Sequence, residues 1–381
     1  MAKARSGHNV DLLFDARHIR QSGIGTYIRI QLPSLEEAAD RHGRSLAVLV
    51  DPETTPTLSD RTAVIQTYPQ GAGMYTAAEQ LVWYRALRAV RPRAVWLPHY
   101  PFPLARLLPG NRRILTYVTV HDTIHVLPEH ISGQGRARRT YARVMLGADV
   151  RGCRRIMTVS EATASLLSTF RAGAQIVVTP IPVDEVWFEP ADRALTPVSG
   201  PYVLYVGNTK RHKNLPLVLK SFAALPASLP HKLVIAGGGA SLRTLDDRIR
   251  TLAEANPDRV VLLGQLDFAV LRALVAEADL LVMPSLYEGA GLPPLEAMAS
   301  RTAVLASNIP SLRETCGDGA KFFDPYDAAA LTALLRTYCT DGVARADLAD
   351  RGHDHVTARQ RRISGTVAAE AIFSDLAALG S

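Results

Sequence analysis

Glu288 and Glu296 are separated by seven residues in the stretch MPSLYEGAGLPPLEAMAS, residues 283 to 300. The stretch begins as an apolar strand, passes through a glycine-containing loop and enters a helix near Pro294. Proline is tolerated at a first helical position because the N–H there has no partner to lose. A strand–loop–helix junction of this kind presents backbone amides and the positive end of a helix dipole, a natural seat for a diphosphate. Gly289 and Gly291, flanked by Ala290 and Leu292, let the backbone approach such a ligand closely. Carboxylates beside a diphosphate would be repelled by it, so the two glutamates are expected to accept hydrogen bonds from hydroxyls on either side, those of a sugar and of a ribose. For Glu296 the plainer alternative is an acid in the first helical turn that offsets the dipole.

Cations follow a second strand in VGNTKRHKNL, residues 206 to 215, where Gly207 and Asn208 lead into Lys210, Arg211 and Lys213. Positive charge there would neutralise a diphosphate leaving group. A third feature is SGIGTY, residues 22 to 27, whose Gly23 and Gly25 lack the third glycine and the spacing of a dinucleotide fingerprint. The fourth is TVHDT, residues 119 to 123, with His121 and Asp122 at the carboxyl end of an apolar strand, the end that faces the ligand crevice in an open α/β sheet. A histidine after a strand is more often structural; the adjoining aspartate and the location favour a functional one. No Asp-x-Asp occurs in the chain, so no carboxylate clamp for a metal-bound nucleotide is in view. Neither a metal nor a cofactor is expected.

The elements that must position these residues alternate between short apolar runs and longer helical patterns, the signature of βαβ units and parallel sheets. Strand candidates in the first half are Val10–Phe14, Leu46–Val50, Ala94–Leu97, Ile114–Val120, Ile156–Val159 and Gln175–Val178. Thr76-Ala-Ala-Glu79 before LVWYRALRAV reads as a capping box. EPADRALTPVSGP, Glu189 to Pro201, has three prolines and no apolar period and is the expected linker. A second series then runs through Tyr202–Val206, Leu233–Ala236, Val260–Leu263, Leu280–Met283, Ala303–Ala306 and Ala320–Phe323, and Val367 to Leu379 reads as a last helix. The expected organisation is a domain over 1–190, a second over 191–366, and a C-terminal helix over 367–381 that packs back on the first. A length of 381 residues suits two domains.

Composition narrows the class. With 47% hydrophobic and 21% charged residues the chain is globular, and no run approaches the roughly 20 apolar residues of a membrane span. The polar start MAKARSGHNVDLLF predicts a cytoplasmic protein. Three scattered cysteines, Cys153, Cys316 and Cys339, make no Cys-x-x-Cys pair and are expected as buried fillers. Residues 1 to 190 hold 23 Lys and Arg against 16 Asp and Glu, whereas the rest is balanced at 20 against 20. Arg136, Arg138, Arg139, Arg143, Arg151, Arg154 and Arg155 accompany a helical pattern with Tyr141, Val144, Met145 and Leu146. That pattern suits either an anionic surface, such as the inner membrane face, or a solvated helix. Nucleic acid is disfavoured, because aromatics are 6% of the chain and do not interleave with the basic residues.

Together these four features bring a resemblance into view. EGAGLPPLE resembles the Glu-x7-Glu motif of the retaining glycosyltransferase family 4, YVGNTKRHKNL resembles that family's phosphate-binding segment, and FDARHIRQSGIGTY with VTVHDTIHVLPEH looks like its bacterial O-antigen and exopolysaccharide mannosyltransferase branch. The resemblance spans about residues 11 to 325. It implies a GT-B fold: α/β, two Rossmann-like domains with parallel sheets facing a central cleft. It implies that Glu288 meets hydroxyls of the transferred sugar, Glu296 the ribose and Lys213 the diphosphate, with His121 near the sugar's 6-hydroxyl. Gly23 and Gly25 would offer amides to the phosphates, Gly237, Gly238 and Gly239 would shape the nucleotide pocket, and the backbone at Leu266 would meet the base. Retention by front-face attack and a GDP-mannose donor also follow from it, with GDP-deoxyhexoses or UDP-hexoses next in line. The acceptor would be a growing surface-polysaccharide or polyprenyl-diphosphate-linked glycan. Two departures stand out: Asn208 occupies a position where relatives have Arg, which leaves Lys210 or Arg211 as a second phosphate cation, and IPVDEVWF replaces a Pro-Asn-Gly turn. A sugar-nucleotide epimerase or a non-catalytic nucleotide binder on the same architecture are the competing classes.

Overall fold

In the computed structural model, residues 10–378 are described except 22, 74–75, 101–103, 238–248, 250, 252, 254 and 256. Two compact units emerge. The first comprises residues 1–123, 137–181 and 364–381, and the second residues 124–136 and 182–363.

In the first unit, seven strands pair in parallel in the order β3-β2-β1-β4-β5-β6-β7. They are β1 (Leu12–Asp15), β2 (Leu46–Val50), β3 (Ala63–Gln66), β4 (Ala94–Leu97), β5 (Leu115–Val120), β6 (Arg155–Thr158) and β7 (Ile176–Val178). Parallel neighbours cannot be joined by a hairpin, so helices α1 (Ile24–Arg41), α2 (Ala77–Val90), α4 (Arg136–Gly152) and α5 (Glu161–Ser168) make crossovers. A short helix, α3 (Glu129–Ser132), precedes α4 and belongs to the second unit. Strands β1, β2 and β4 are buried throughout, as expected where both faces of a sheet are covered. Thr76 caps α2 by accepting from the Glu79 amide at 3.2 Å, worth about 1 kcal/mol. The Glu79 side chain is fully buried and accepts from Arg17 and His99. It thus serves the core as well as the cap. β3 was absent from the expected strands because it lies at the edge and is largely exposed, with Val64 44% exposed, so no apolar run marks it.

The second unit holds six parallel strands in the order β10-β9-β8-β11-β12-β13. These are β8 (Tyr202–Val206), β9 (Lys232–Ala236), β10 (Val260–Leu263), β11 (Leu280–Met283), β12 (Ala303–Ser307) and β13 (Lys321–Phe323), joined through α6 (Leu215–Ala223), α7 (Phe268–Ala276), α8 (Leu292–Ala299), α9 (Pro310–Cys316), α10 (Ala328–Thr340) and α11 (Gly342–Arg362). The period of two along β8 sorts its side chains between two layers. Tyr202 and Leu204 enter one core with Leu295, Met298 and Leu312, whereas Val203 and Tyr205 enter another with Val218, Phe222, Leu331 and Leu335. Cys316 and Cys339 are buried and Cys153 is half-buried, all three as free thiols.

The chain passes from the first unit to the second at residues 181 and 182, ahead of the linker expected at Glu189 to Pro201. The reason is local packing. Val183 and Trp187 are buried in the second core, and the Gln360 side chain closes on Val183 through its backbone N–H and carbonyl at 3.0 and 2.8 Å. The departing IPVDEVWF segment therefore docks at once. The segment from 124 to 136, expected within the first domain, also clusters with the second unit, where Gly133 lies against the side chain of Arg211.

Helix α12 (Val367–Ala378) returns to the first unit. Its buried face carries Ala368, Ala369, Ile372, Phe373 and Leu376, and Phe373 stacks on His42 at 5.7 Å. Asp375 accepts from Arg155 at 2.7 and 2.8 Å, from Arg154 at 3.3 Å and from the Tyr117 hydroxyl at 3.2 Å. Burial alone would raise this carboxyl, but hydrogen bonds from Arg155 and Arg154 outweigh it and hold the pKa below the ordinary 3.8. A depressed folded pKa stabilises above the unfolded value and is lost as pH falls through the folded one. Replacing Asp375 by Asn should cost about 1.5–3 kcal/mol near pH 7, because the bonds to a charged acceptor are weakened. Denaturant titrations of both proteins test this, and their stabilities should converge as pH drops below about 4.

Candidate active site

Both sheets reverse their strand order once, between β1 and β4 in the first and between β8 and β11 in the second. In an open α/β sheet the crevice outside the carboxyl ends of strands at such a switch point is where ligands bind. All four features singled out by residue type lie on loops that leave carboxyl ends of strands.

In the second unit, the loop after β8 and the loop after β11 are neighbours because their strands pair, Leu280 beside Val203 and Leu281 beside Leu204. Lys213 from the first loop and Glu288 from the second meet as an ion pair, Nζ to Oε1 at 2.7 Å, with side chains only 14% and 10% exposed. Ser285 donates to the same Oε1 at 2.5 Å. Both donors occupy one oxygen, which leaves Oε2 as the carboxylate's remaining acceptor. The two loops are also tied through the backbone, Leu286 N–H donating to the His212 carbonyl at 2.7 Å. Asn214, in the left-handed region at φ 53°, donates its side-chain amide to the carbonyls of Pro284 at 3.1 Å and Pro325 at 2.8 Å. One amide thus ties the lysine's loop to the segments after β11 and β13.

The other cations of that loop are placed differently. Lys210 and Arg211 are exposed, whereas Lys213 is half-buried. Asn208 shapes the loop, its Oδ1 accepting from the Lys210 amide at 3.1 Å and its carbonyl from the Tyr205 hydroxyl at 2.5 Å. Gly207 follows β8, and Gly237 follows β9 at φ 97°, where a Cβ would come within 2.8 Å of the Gly207 carbonyl oxygen. The turn after β9 therefore requires glycine. Gly238 and Gly239 lie outside the described residues. Leu266 is half-buried against the second unit's core.

Helix α8 begins at Leu292, two residues before the expected start at Pro294, with Gly291 as its left-handed cap. Pro293 and Pro294 then fill the second and third positions and supply no N–H. The phosphate seat expected here loses two of its four end amides, those of Pro293 and Pro294, which leaves Leu292 and the loop amides of Gly289, Ala290 and Gly291 as the candidate donors at the junction. Thr315 holds that loop by donating to the Ala290 carbonyl at 2.7 Å. The same shift moves Glu296 out of the first helical turn, so it does not offset the dipole as an N-terminal acid. Removal from water, and next the charge of Asp184, push its carboxyl up to about 7.

In the first unit, Gly23 caps α1 at φ 69° and Gly25 is the second residue of the helix, where a Cβ would fall on the carbonyl of Ile19. His121 follows β5 and donates Nε2–H to the Pro98 carbonyl at 2.7 Å, with its ring edge-on to Tyr27 at 4.9 Å. Loss of water lowers its pKa against the opposing pull of that carbonyl and of Asp122. The neutral ring carries its proton on Nε2 and presents Nδ1 as an acceptor.

Reading by residue type missed a buried set at the switch point of the first sheet. Arg17 makes two bonds to Asp15, at 2.9 and 2.7 Å, and one to Glu79 Oε1 at 3.0 Å; His99 Nε2 lies 3.2 Å from the same oxygen. Sixty-two residues separate Arg17 from Glu79, so no local spacing signals the pair. Among the described residues, His18, Glu79 and His99 are the one group with metal-ligating atoms all within 4.8 Å of one another. Glu79 Oε1 is already shared by a guanidinium and an imidazole, and the Arg17 charge opposes a metal cation there. The group reads as an ion-paired, hydrogen-bonded set. Asn214 was also missed, since its partners Pro284 and Pro325 lie in other loops, and so was Ser285, whose partner Glu288 is three residues on in its own loop.

Glu296 generates a stability test. A carboxyl raised in the folded state stabilises fully below its unfolded pKa, near 4.5, and that contribution is lost as pH rises through the folded value. Glu296→Gln should match the parent near pH 4 and exceed it at pH 8 by up to about 3 kcal/mol. Thermal melts across that range check it; equal stabilities at pH 8 would mean the carboxyl is ordinary.

Comparison with known proteins bears on the family and the fold. The family of glycosyl transferases group 1 matches residues 191–355. The chain is 29% identical over 266 residues to the O-antigen chain mannosyltransferase RfbU of Salmonella typhimurium, covering 67% of this chain and 70% of that one. It is 27% identical over 340 residues to the O-antigen chain mannosyltransferase B of Escherichia coli, covering 84% and 82%. Among solved structures it resembles sucrose-phosphate synthase of Thermosynechococcus elongatus, at a TM-score of 0.73, 20% identity and 98% coverage of both chains. It also resembles WaaG, a glycosyltransferase involved in lipopolysaccharide biosynthesis, at a TM-score of 0.70 and 16% identity over 95% of this chain and 99% of that one. Residues 191–355 belong to the glycosyl transferases group 1 family, and the protein is a glycosyltransferase with the GT-B fold.

Proposed function

We propose that the protein transfers mannose from GDP-mannose, with retention at the anomeric carbon and without a metal ion, to a growing surface-polysaccharide or lipid-linked glycan. The observation that carries this reading is the Lys213–Glu288 pair at the switch point of the second sheet. It sets a cation and a carboxylate side by side, as a diphosphate joined to a sugar requires. The Lys213 ammonium has three N–H donors, one of them engaged by Glu288, and the other two suit phosphate oxygens. Glu288 Oε2 accepts from a sugar hydroxyl and Glu296 from the ribose, while Gly207, Gly237 and Leu266 border the nucleotide. In the first unit, His121 accepts the sugar's 6-hydroxyl at Nδ1 and Gly23 offers its amide to the phosphates; the Gly25 amide expected beside it already donates to the Gln21 carbonyl at 3.0 Å.

Support for mannose is the naming of two relatives as O-antigen chain mannosyltransferases. Support for a metal-free reaction is the lack of Asp-x-Asp in the sequence together with the fixed lysine, which stabilises the departing GDP electrostatically. Retention follows most simply from front-face attack, with a donor phosphate oxygen taking the acceptor's proton, and that path needs no protein base.

The acceptor side rests on α4. Tyr141 and Val144 are 58% and 64% exposed while Leu146 is buried, so the helix shows apolar groups to solvent among the exposed Arg138 and Arg143. No helix among the described residues is long and apolar enough to cross a membrane. A peripheral contact with an anionic leaflet, where a polyprenyl-linked acceptor resides, fits this surface.

Transfer assays, GDP binding and vesicle co-sedimentation test these roles. With GDP-mannose as donor, Glu288→Gln should abolish transfer yet keep GDP affinity. Lys213→Ala should weaken GDP binding by roughly tenfold or more, the loss of about 1.5–3 kcal/mol in one charge-assisted contact. Transfer should persist in EDTA. Turnover near wild type in Glu288→Gln, or chelation losses restored by Mg²⁺, would sink the mechanism. Co-sedimentation should show salt-sensitive binding to anionic but not neutral vesicles, reduced when Arg136, Arg138 and Arg139 become Gln. Equal binding to both vesicle types removes the membrane role.

A further inference from the structure

Glu79 sits where two segments at the switch point of the first sheet converge. It is fully buried on α2, and its Oε1 takes Arg17 Nη2 at 3.0 Å and His99 Nε2 at 3.2 Å. The Arg17 arm governs the segment after β1. Asp15 grips the guanidinium through both carboxylate oxygens, and the same side chain lies over Trp83, one turn beyond Glu79 on α2. Downstream, a chain of local bonds runs from Ile19 N–H to the Ala16 carbonyl, from Gln21 N–H to the His18 carbonyl, and from Gly25 N–H to the Gln21 carbonyl. The left-handed turn at Gly23 is wound on that base. The His99 arm governs the segment after β4. His99 follows Pro98 directly, and the Pro98 carbonyl receives the Nε2–H of His121.

A buried carboxylate that accepts from both a guanidinium and an imidazole is costly to place unless its partners are fixed. Its neighbours are correspondingly enclosed: Arg17, His18 and His99 are 4%, 6% and 2% exposed, and the rings of His18 and His99 meet edge to face at 4.7 Å. Such a group over-determines the backbone it touches. Here that backbone includes the carbonyl that sets which nitrogen of His121 carries the proton.

We propose that Glu79 is a positioning residue: through His99 it fixes the Pro98 carbonyl that orients His121, and through Arg17 it fixes the Gly23–Gly25 turn. The catalytic consequence rests on His121 as a sugar-facing group. The geometric consequence does not, because the tautomer of His121 is measurable on the free protein.

Glu79→Gln and His99→Gln are the variants, and Asp375→Asn is the control, a destabilising change in the same unit with no bond to this set. ¹⁵N shifts of the histidine rings report the tautomer. The parent and the control should hold His121 as the Nε2–H form, whereas both variants should show mixed tautomers. With GDP-mannose, both variants should lose roughly tenfold in kcat, equal to about 1.4 kcal/mol; His99→Gln should keep GDP affinity within about twofold of the parent, whereas Glu79→Gln, which also releases the Arg17 arm and the Gly23–Gly25 turn, should weaken it. If Glu79→Gln does not fold, His99→Gln carries the test alone. An unchanged His121 tautomer in the folded variants, or an equal change in the control, overturns the proposal. Full activity of His121→Ala would instead remove the sugar-facing role, and the tautomer result would still decide what Glu79 does.

Discussion

Parallel pairing is the constraint on which everything else in this protein rests. Every strand in both sheets runs the same way as its neighbours, so every exit from a strand falls on one edge of its sheet and every return must cross by a helix or a long loop. Residues far apart in sequence are thereby delivered to a common edge. Lys213 and Glu288 lie 75 positions apart and meet because β8 and β11 are hydrogen-bonded neighbours. Arg17 and His99 meet over Glu79 because β1 and β4 are neighbours. The reversal of strand order opens a gap between two outgoing loops, and in each sheet the polar chemistry has collected at that gap.

This dependence explains what could be read before the structure was known. Strands buried on both faces announce themselves as apolar runs, so LAVLV and YVLYV were found at their actual limits. Edge strand β3, half wet and with no run, was invisible. Lys213 and Glu288 were singled out because glycine-rich loops after strands are conspicuous in type and position. The buried Asp15–Arg17–Glu79–His99 set was not, since its members sit among ordinary helix and loop residues and acquire meaning only through pairing of β1 with β4. The start of α8 was misplaced for a local reason: two consecutive prolines fit any of the first three helical positions, and the left-handed glycine before them decides which. The misplaced linker had a tertiary cause, the burial of Val183 and Trp187 beside Gln360.

The two glutamates of the Glu-x7-Glu stretch are held in opposite electrostatic settings. Glu288 has a lysine and a hydroxyl on one oxygen, so its charge is compensated before any ligand arrives. Among the described residues no cation pairs with Glu296, and the largest influence after loss of water is the like charge of Asp184. Seven residues of spacing thus separate a carboxylate organised in advance from one that remains energetically unsettled. Unsettled polar groups of this kind persist where function, rather than stability, maintains them.

The chain leaves the first unit after residue 181 and rejoins it at residue 364. During synthesis the ribosome therefore delivers all seven strands of the first sheet early, but withholds the helix carrying Asp375 until the second unit has emerged. Until then Tyr117, Arg154 and Arg155 lack the carboxylate that joins them, and α1 lacks the apolar face of Phe373 and its neighbours. The second unit, by contrast, has nearly all of its residues in one continuous stretch and can close first. An unfinished chain would present an open apolar flank on its amino-terminal half, a state that chaperones and proteases distinguish from a completed one.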